Sequence, residues 1–376
     1  MNIDQLNILV LSDIHLGHNI NKTSNIVNNL NKYFIKYNKY IKQCKMIVIA
    51  GDIYDTLLVN GSSDFLISLQ WLTNLAMYCK KHNIKLRILE GTPSHDWKQA
   101  SVLNTALKEL EIDIDFKYIN DLVIEHITEF GINILYIPDE YKHNASETLE
   151  VVKAKLQEAN LSKVDLAVMH GQFDYQIPMI KLDSSHDLEE YENIVDKFIA
   201  IGHIHKHSVN GKVIAQGSFD RLAHNEEEAK GGVILTLNKY GDSSYVFLEN
   251  TNAMKFITLD YSDIDTEDIN LKLEKDMGNI PKGSAVRIWV SKDSGLYKNK
   301  KEIVNKYVDY VIKIENKKEK EDGYSQVTKP LEFNKLDSFN ITKDNIEELV
   351  ITEVMNKYDL DIDKLKLLKK ELSTVA

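Results

Sequence analysis

Short apolar runs alternate with longer amphipathic stretches over the first two-thirds of the chain, and most of the runs stop at a polar cluster. "NILVLS" (7–12) precedes an amphipathic stretch from Ser24 to Lys42, and "KMIVIAGD" (45–52) precedes "SDFLISLQWLTNLAMYCKKHN" (63–83). Next come "KLRILEG", "GINILYIPD", the helix-like "NASETLEVVKAKLQEAN", "VDLAVMHG", "KFIAIGHIH" and "KVIAQGS". Runs of Ile, Leu and Val without alternation suit strands buried on both faces, and their alternation with helices predicts a layered α/β core. In open α/β sheets, ligands gather at the C-terminal edge of the strands. Here that edge is where the polar residues fall.

Those strand ends carry five polar groups. They are "SDIH" with Asp13 and His15, "GDIYD" with Asp52 and Asp55, "GTPSHD" with Ser94, His95 and Asp96, "MHGQ" with His170, and "GHIHKH" with His203 and His205. Each alone has an ordinary explanation. A strand often runs out into a polar loop, Gly-Asp is common turn chemistry, and a lone histidine is more often structural than a ligand. Five such groups in series, each closing a buried strand, are hard to explain as turns. Carboxylates and imidazoles converging on one sheet edge are what a dinuclear divalent-metal site requires. A bridging carboxylate must sit between two mutually repelling cations, and Asp52, beside Gly51, is the natural bridge. Neutral imidazoles complete each sphere, and the absence of thiolates suits Mn²⁺ or Fe²⁺ better than Mg²⁺ or Zn²⁺.

Composition narrows the rest. The 376 residues carry a net charge of −11, which argues against a nucleic-acid partner unless bound cations supply positive charge locally. Two cysteines, Cys44 and Cys79, exclude a disulfide framework and point to a reducing cytoplasm. The N-terminus lacks a signal-peptide pattern, and no apolar run approaches the roughly 20 residues of a membrane span.

The predicted layout is a large domain over 1–250 and a small α/β domain over 251–318. A charged linker over 319–341 leads to two helices over 342–376. The apolar stripe Ile346, Leu349, Val350, Val354 suits either docking on a partner or packing on its own domain.

The series D-x-H, G-D-x-x-D, H-D, H-G-Q and G-H-x-H resembles the calcineurin-like metallophosphoesterase superfamily. Within it, "HGQF", "GSFDR" and the domain order are most similar to SbcD-type DNA-repair nucleases, including phage recombination nucleases. The likeness spans about residues 6–250. It implies a layered sheet core, a capping domain that steers duplex DNA and C-terminal helices that dock on an SMC-like (SbcC-type) ATPase. It also implies two divalent metal ions, chiefly Mn²⁺ with Mg²⁺ or Fe²⁺ as alternatives, and a homodimer built partly on the helix from Phe65 to Tyr78. The implied activity is 3′–5′ exonuclease, endonuclease, or both. One metal would be held by Asp13, His15, Asp52 and His205, and the other by Asp52, His170, His203 and the residue at the family's asparagine position. His95 would stabilise or protonate at the scissile phosphate, Asp55 would contact or orient His95, and Asp96 would fix the loop. His18 and His207 would be substrate-side or solvated.

One departure stands out. The family's G-N-H-D appears as Gly91-Thr92-Pro93-Ser94-His95-Asp96, with two extra residues and serine in place of asparagine. Ser94 is therefore the expected ligand, acting through water if not directly, unless the longer loop brings Thr92 or a carbonyl inward. Two other readings use the same residues: a small-molecule nucleotide phosphodiesterase or phosphatase, and a non-catalytic scaffold for the ATPase.

Overall fold

The structure is a computed structural model that describes residues 5–177, 182–264 and 269–317. The chain divides into two compact units, Met1–Asn316 and Lys317–Ala376. The expected linker (319–341) and C-terminal helices (342–376) lie outside the described residues.

Within the first unit the predicted strands form two six-stranded sheets. The chain order is β1 (Gln5–Leu11), β2 (Met46–Ala50), β3 (Lys85–Leu89), β4 (Phe116–Ile119), β5 (Val123–Ile127), β6 (Ile132–Ile137), β7 (Val164–His170), β8 (Val195–Gly202), β9 (Ser208–Asn210), β10 (Val213–Ala215), β11 (Gly231–Asn238) and β12 (Ser244–Glu249). The first sheet has the order β12-β11-β1-β2-β3-β4 and the second β5-β6-β7-β8-β10-β9. Strands β1 to β4 run parallel, as do β6, β7, β8 and β10, with antiparallel strands at the margins.

The period-2 geometry of a strand explains the unbroken apolar runs. In β1, Leu6, Ile8 and Val10 point into a core shared with Met46 and Val48 of β2 and with Tyr136, Leu166, Val168 and Ile214 of the second sheet. Leu9 and Leu11 point the other way, against Ile26, Leu30, Leu72 and Leu75. Those residues belong to the helices Thr23–Lys36 and Ser63–His82. On the far side, Leu149, Val152 and Leu156 of the helix Ala145–Glu158 cover Ile137, Ala167 and Ile199. The result is a helix–sheet–sheet–helix sandwich. In the helix Ser63–His82, Trp71, Leu72 and Leu75 are buried, whereas Leu66 and Met77 are each 54 % exposed.

Beyond this sandwich, β13 (Phe256–Asp260), β14 (Ala285–Val290) and β15 (Val311–Asn316) form a parallel three-stranded sheet. It has a core of its own, built on Leu273 and Met277 of the helix Ile269–Met277 with Val286, Ile288 and Ile314. No helix among the described residues is long and apolar enough to cross a membrane. Cys44 and Cys79 are free and buried, and burial pushes each thiol up to about 12.

Candidate metal centre

The ends of β1, β2, β7 and β8 place their polar side chains together. Asp13, His15 and His205 form one group of donors, Asp52, His170 and His203 a second, and His15, Asp52 and His95 a third; each group is compact enough to hold a metal ion. The backbone leaves the strands sharply to achieve this. Asp13, His15 and Asp52 have φ of 49°, 54° and 50°, and His203 has 101°. Left-handed backbone is uncommon and costly for residues other than glycine, and a cluster of it marks a place where function outweighs local strain. Hydrogen bonds secure the turns: Asp13 N–H donates to Gly51 O (3.1 Å), and Ile14 and His15 N–H donate to Asp52 O (2.8 and 3.1 Å).

Glycines make the packing possible. A Cβ on Gly51 would stand 2.1 Å from His170 Nδ1, and one on Gly91 would stand 2.3 Å from Asp52 Oδ1. Neither position tolerates a side chain without displacing a member of the cluster.

Asp52 lies between the two histidine groups. Its Oδ1 is 3.3 Å from His170 Nε2, and its Oδ2 is 2.9 Å from His95 Nδ1 and 3.8 Å from His15 Nε2. Burial alone would raise the Asp52 carboxyl, but the neighbouring His170, with His95 and His15, holds it far below the usual carboxylate range. Asp96, fully buried, accepts from the backbone N–H of Asp52 (3.1 Å), Tyr54 (3.0 Å) and Gly91 (2.7 Å), so it ties the β2 and β3 loops together. Burial, and then the nearby Asp52 charge, push the Asp96 carboxyl up to about 7.

The donor set fits divalent cations on three grounds. His170 Nδ1 donates to Ala50 O (2.7 Å), so in the neutral imidazole Nε2 bears the lone pair, buried and without a hydrogen-bond partner. His15 Nδ1 donates to Asp55 Oδ1 (3.1 Å) and His205 Nδ1 to Glu226 Oε1 (2.7 Å). Carboxylates only accept, so in the neutral imidazoles the two Nε2 atoms, 3.2 Å apart, face each other with lone pairs, an arrangement a cation between them relieves. Finally, all the donors are imidazole nitrogens or carboxylate oxygens, with no thiolate among them.

Several expected roles shift. Asp55 hydrogen-bonds His15, the metal-group histidine, whereas His95 hydrogen-bonds Asp52. The cause is the bridge between Leu16 and Tyr54, with Asp55 N–H donating to Leu16 O (3.0 Å), which draws Asp55 beside the β1 loop. Ser94 is exposed, and its carbonyl accepts from Trp97 Nε1–H (2.6 Å). Pro93 opens a four-residue helical turn, Pro93–Asp96, which carries Ser94 outward. Thr92 turns inward instead: its N–H donates to Asp52 Oδ1 (2.6 Å), and its hydroxyl lies 3.3 Å from Asp52 Oδ2 and 3.0 Å from Asp139 Oδ2. His207 is engaged elsewhere, donating from Nδ1 to Ala215 O (2.8 Å) and stacking on Phe247. His18 Nδ1 accepts from Asn21 N–H (2.9 Å), and burial lowers its pKa.

Two residues of the centre escaped sequence reasoning. Glu226, buried, accepts from His205 and pairs with Lys230 (3.1 Å). Burial would raise its carboxyl, yet His205 and Lys230 bring it down to about 2. Asp139 follows the end of β6 in "YIPD", so the same strand-end logic that selected Asp13 and Asp52 applies to it.

No model of a known protein family matches the sequence, and no curated protein matches it. Among solved structures, one similar chain shares 12% identity at a TM-score of 0.38, with 65% of this chain and 99% of that chain covered.

Proposed function

We propose that the chain is a metal-dependent phosphodiesterase of calcineurin-like architecture that cleaves DNA ends and works with an SMC-like ATPase. The observation that carries this reading is the position of Asp52, whose two carboxylate oxygens face different histidine groups, as a bridge between two cations requires. The layered sandwich supports the same reading, because both sheets deliver donors to one edge.

Two divalent cations, Mn²⁺ first among them, would be held by Asp13, His15, Asp52 and His205 and by Asp52, His170 and His203. When bound, they supply an activated water near neutral pH and neutralise phosphate charge. The chain does the rest. Asp55 and Glu226 fix the His15 and His205 rings, and Ala50 O fixes His170, so the donors are aimed before a ligand arrives. The His95 side chain is 37 % exposed, at the open side of the cluster. The Asp52 hydrogen bond raises its pKa against the effect of burial, and His95 would donate to a phosphate oxygen or a leaving oxygen.

DNA is favoured over a small phosphoester by the lysine cluster of "YKNKKE", where Lys298 and Lys301 are exposed. Beside them Lys300 lies over the Tyr297 ring, 3.4 Å from its centroid. The test is incubation with Mn²⁺ and end-labelled duplex DNA, alongside bis-p-nitrophenyl phosphate, with His95→Ala as control. The expected result is cleavage of both by the wild type and loss of both in the variant. Cleavage of the small ester but never of DNA, even with an SMC-like ATPase present, would replace the nuclease reading with a small-molecule phosphodiesterase. Cleavage of neither would leave a scaffold.

A further inference from the structure

We infer that Asp139 is a carboxylate ligand of the Asp52/His170/His203 metal position, an inference that rests on the two-cation reading above. This second position is poor in charge without it. Asp52 is shared with the other group, and His170 and His203 are neutral donors. Counting Asp13, Asp52 and Asp139 gives three negative charges against the four of two divalent cations.

Geometry places Asp139 where that charge is needed. Its Oδ2 lies 3.6 Å from His203 Nδ1 and 3.0 Å from Thr92 Oγ1, and Thr92 Oγ1 is 3.5 Å from the same His203 nitrogen. Thr92 Oγ1 lies 3.3 Å from Asp52 Oδ2, and His170 Nε2 is 3.3 Å from Asp52 Oδ1. Donor atoms around a common ion at bond lengths of about 2.1 Å lie roughly 3.0–3.5 Å apart. The 3.3 Å from His170 Nε2 to Asp52 Oδ1 falls within that edge length, and the 3.6 Å from Asp139 Oδ2 to His203 Nδ1 lies just beyond it, too long for a strong hydrogen bond.

The two oxygens of Asp139 are already differentiated. Oδ1 accepts from Glu140 N–H (2.9 Å), which turns Oδ2 toward the cluster, and the side chain is only 12 % exposed. At the far side stands His170 Nε2, buried and without a hydrogen-bond partner. With Ser94 turned outward, this strand end supplies the anionic oxygen that the β3 loop does not. A carboxylate there makes the position harder and more anionic than an amide would, which favours Mn²⁺.

Apoprotein titrated with MnCl₂ tests this by calorimetry, and by the free-ion electron paramagnetic resonance signal, for the wild type, Asp139→Asn, Asp139→Ala and Thr92→Val. The wild type is expected to bind two ions. Both Asp139 variants are expected to weaken the second ion about 10- to 100-fold while keeping the first, whose retention also reports an intact fold. Thr92→Val is expected to stay within about threefold of the wild type. Asp139 variants indistinguishable from the wild type would overturn the assignment. Thr92→Val as weak as Asp139→Asn would reduce Asp139 to a hydrogen-bond acceptor that holds Thr92. A wild type that binds fewer than two ions would instead bring down the two-cation reading itself.

Discussion

Gly202→Ala tests how tightly the second histidine group depends on the sheet beneath it. The added Cβ would stand 2.4 Å from Ala50 O, 2.8 Å from His170 Nδ1 and 2.8 Å from Ser12 Cβ. Carbon and carbonyl oxygen rarely approach closer than about 3.3 Å, so β2 and β8 must separate by nearly 1 Å at this point. Overpacking of this kind costs about 1–3 kcal/mol. The displaced atoms are the two partners of the 2.7 Å His170–Ala50 hydrogen bond, both buried, and losing it costs about 1–3 kcal/mol more. The predicted loss of unfolding free energy is therefore about 4 kcal/mol, read from urea unfolding at pH 7. Because His170 and the His203 backbone move, the second Mn²⁺ is expected to weaken at least about tenfold in calorimetry, with the Asp13/His15/His205 ion retained. Gly295→Ala, where a Cβ meets nothing within 4 Å, is the control and is expected to change little. Wild-type stability and wild-type Mn²⁺ binding in Gly202→Ala would refute the reasoning.

Glu226→Ala frees the His205 ring and is expected to weaken Mn²⁺ at the Asp13/His15/His205 group about 10- to 100-fold, measured by calorimetry. Arg87, almost fully buried, is held by Glu125 through two hydrogen bonds (2.8 and 2.7 Å) and by Asp115 (2.8 Å), so Glu125→Leu, which leaves the Asp115 contact, is expected to cost about 2 kcal/mol in denaturant unfolding. The double variant Arg87→Met/Glu125→Leu is expected to recover most of that loss, because no buried charge is then left uncompensated. Burial lowers His186 to about 4 from 6.5, so the folded protein keeps it neutral while the unfolded chain takes a proton. Its contribution is complete above pH 6.5 and is lost as pH falls toward 4, by up to about 3 kcal/mol; His186→Leu is expected to flatten the pH dependence of unfolding over that window.

The strands of the sandwich were legible because both faces of each are buried, which leaves an unmistakable run of Ile, Leu and Val ending in polar residues. Asp13, His15, Asp52, His95, His170, His203 and His205 were legible for the same reason, since the end of each strand fixes where the next side chains point. The β3 loop was not. Its two extra residues let Pro93 start a helical turn, and linear spacing does not reveal that Ser94 then faces outward and Thr92 inward. Asp139 was overlooked because Pro-Asp after a strand reads as turn chemistry. Glu226 was overlooked because it sits in "NEEEAK", which reads as a solvated charge run, although Glu226 and Lys230 are buried while Glu227 between them is exposed.

Anomalous diffraction from Mn²⁺-soaked crystals is the most direct measurement of the central claim. The expected result is two peaks about 3.5–4 Å apart on either side of Asp52, one among Asp13, His15 and His205 and the other beside His170 and His203. An empty cluster, or a single ion that leaves Asp52 uncoordinated, would contradict it.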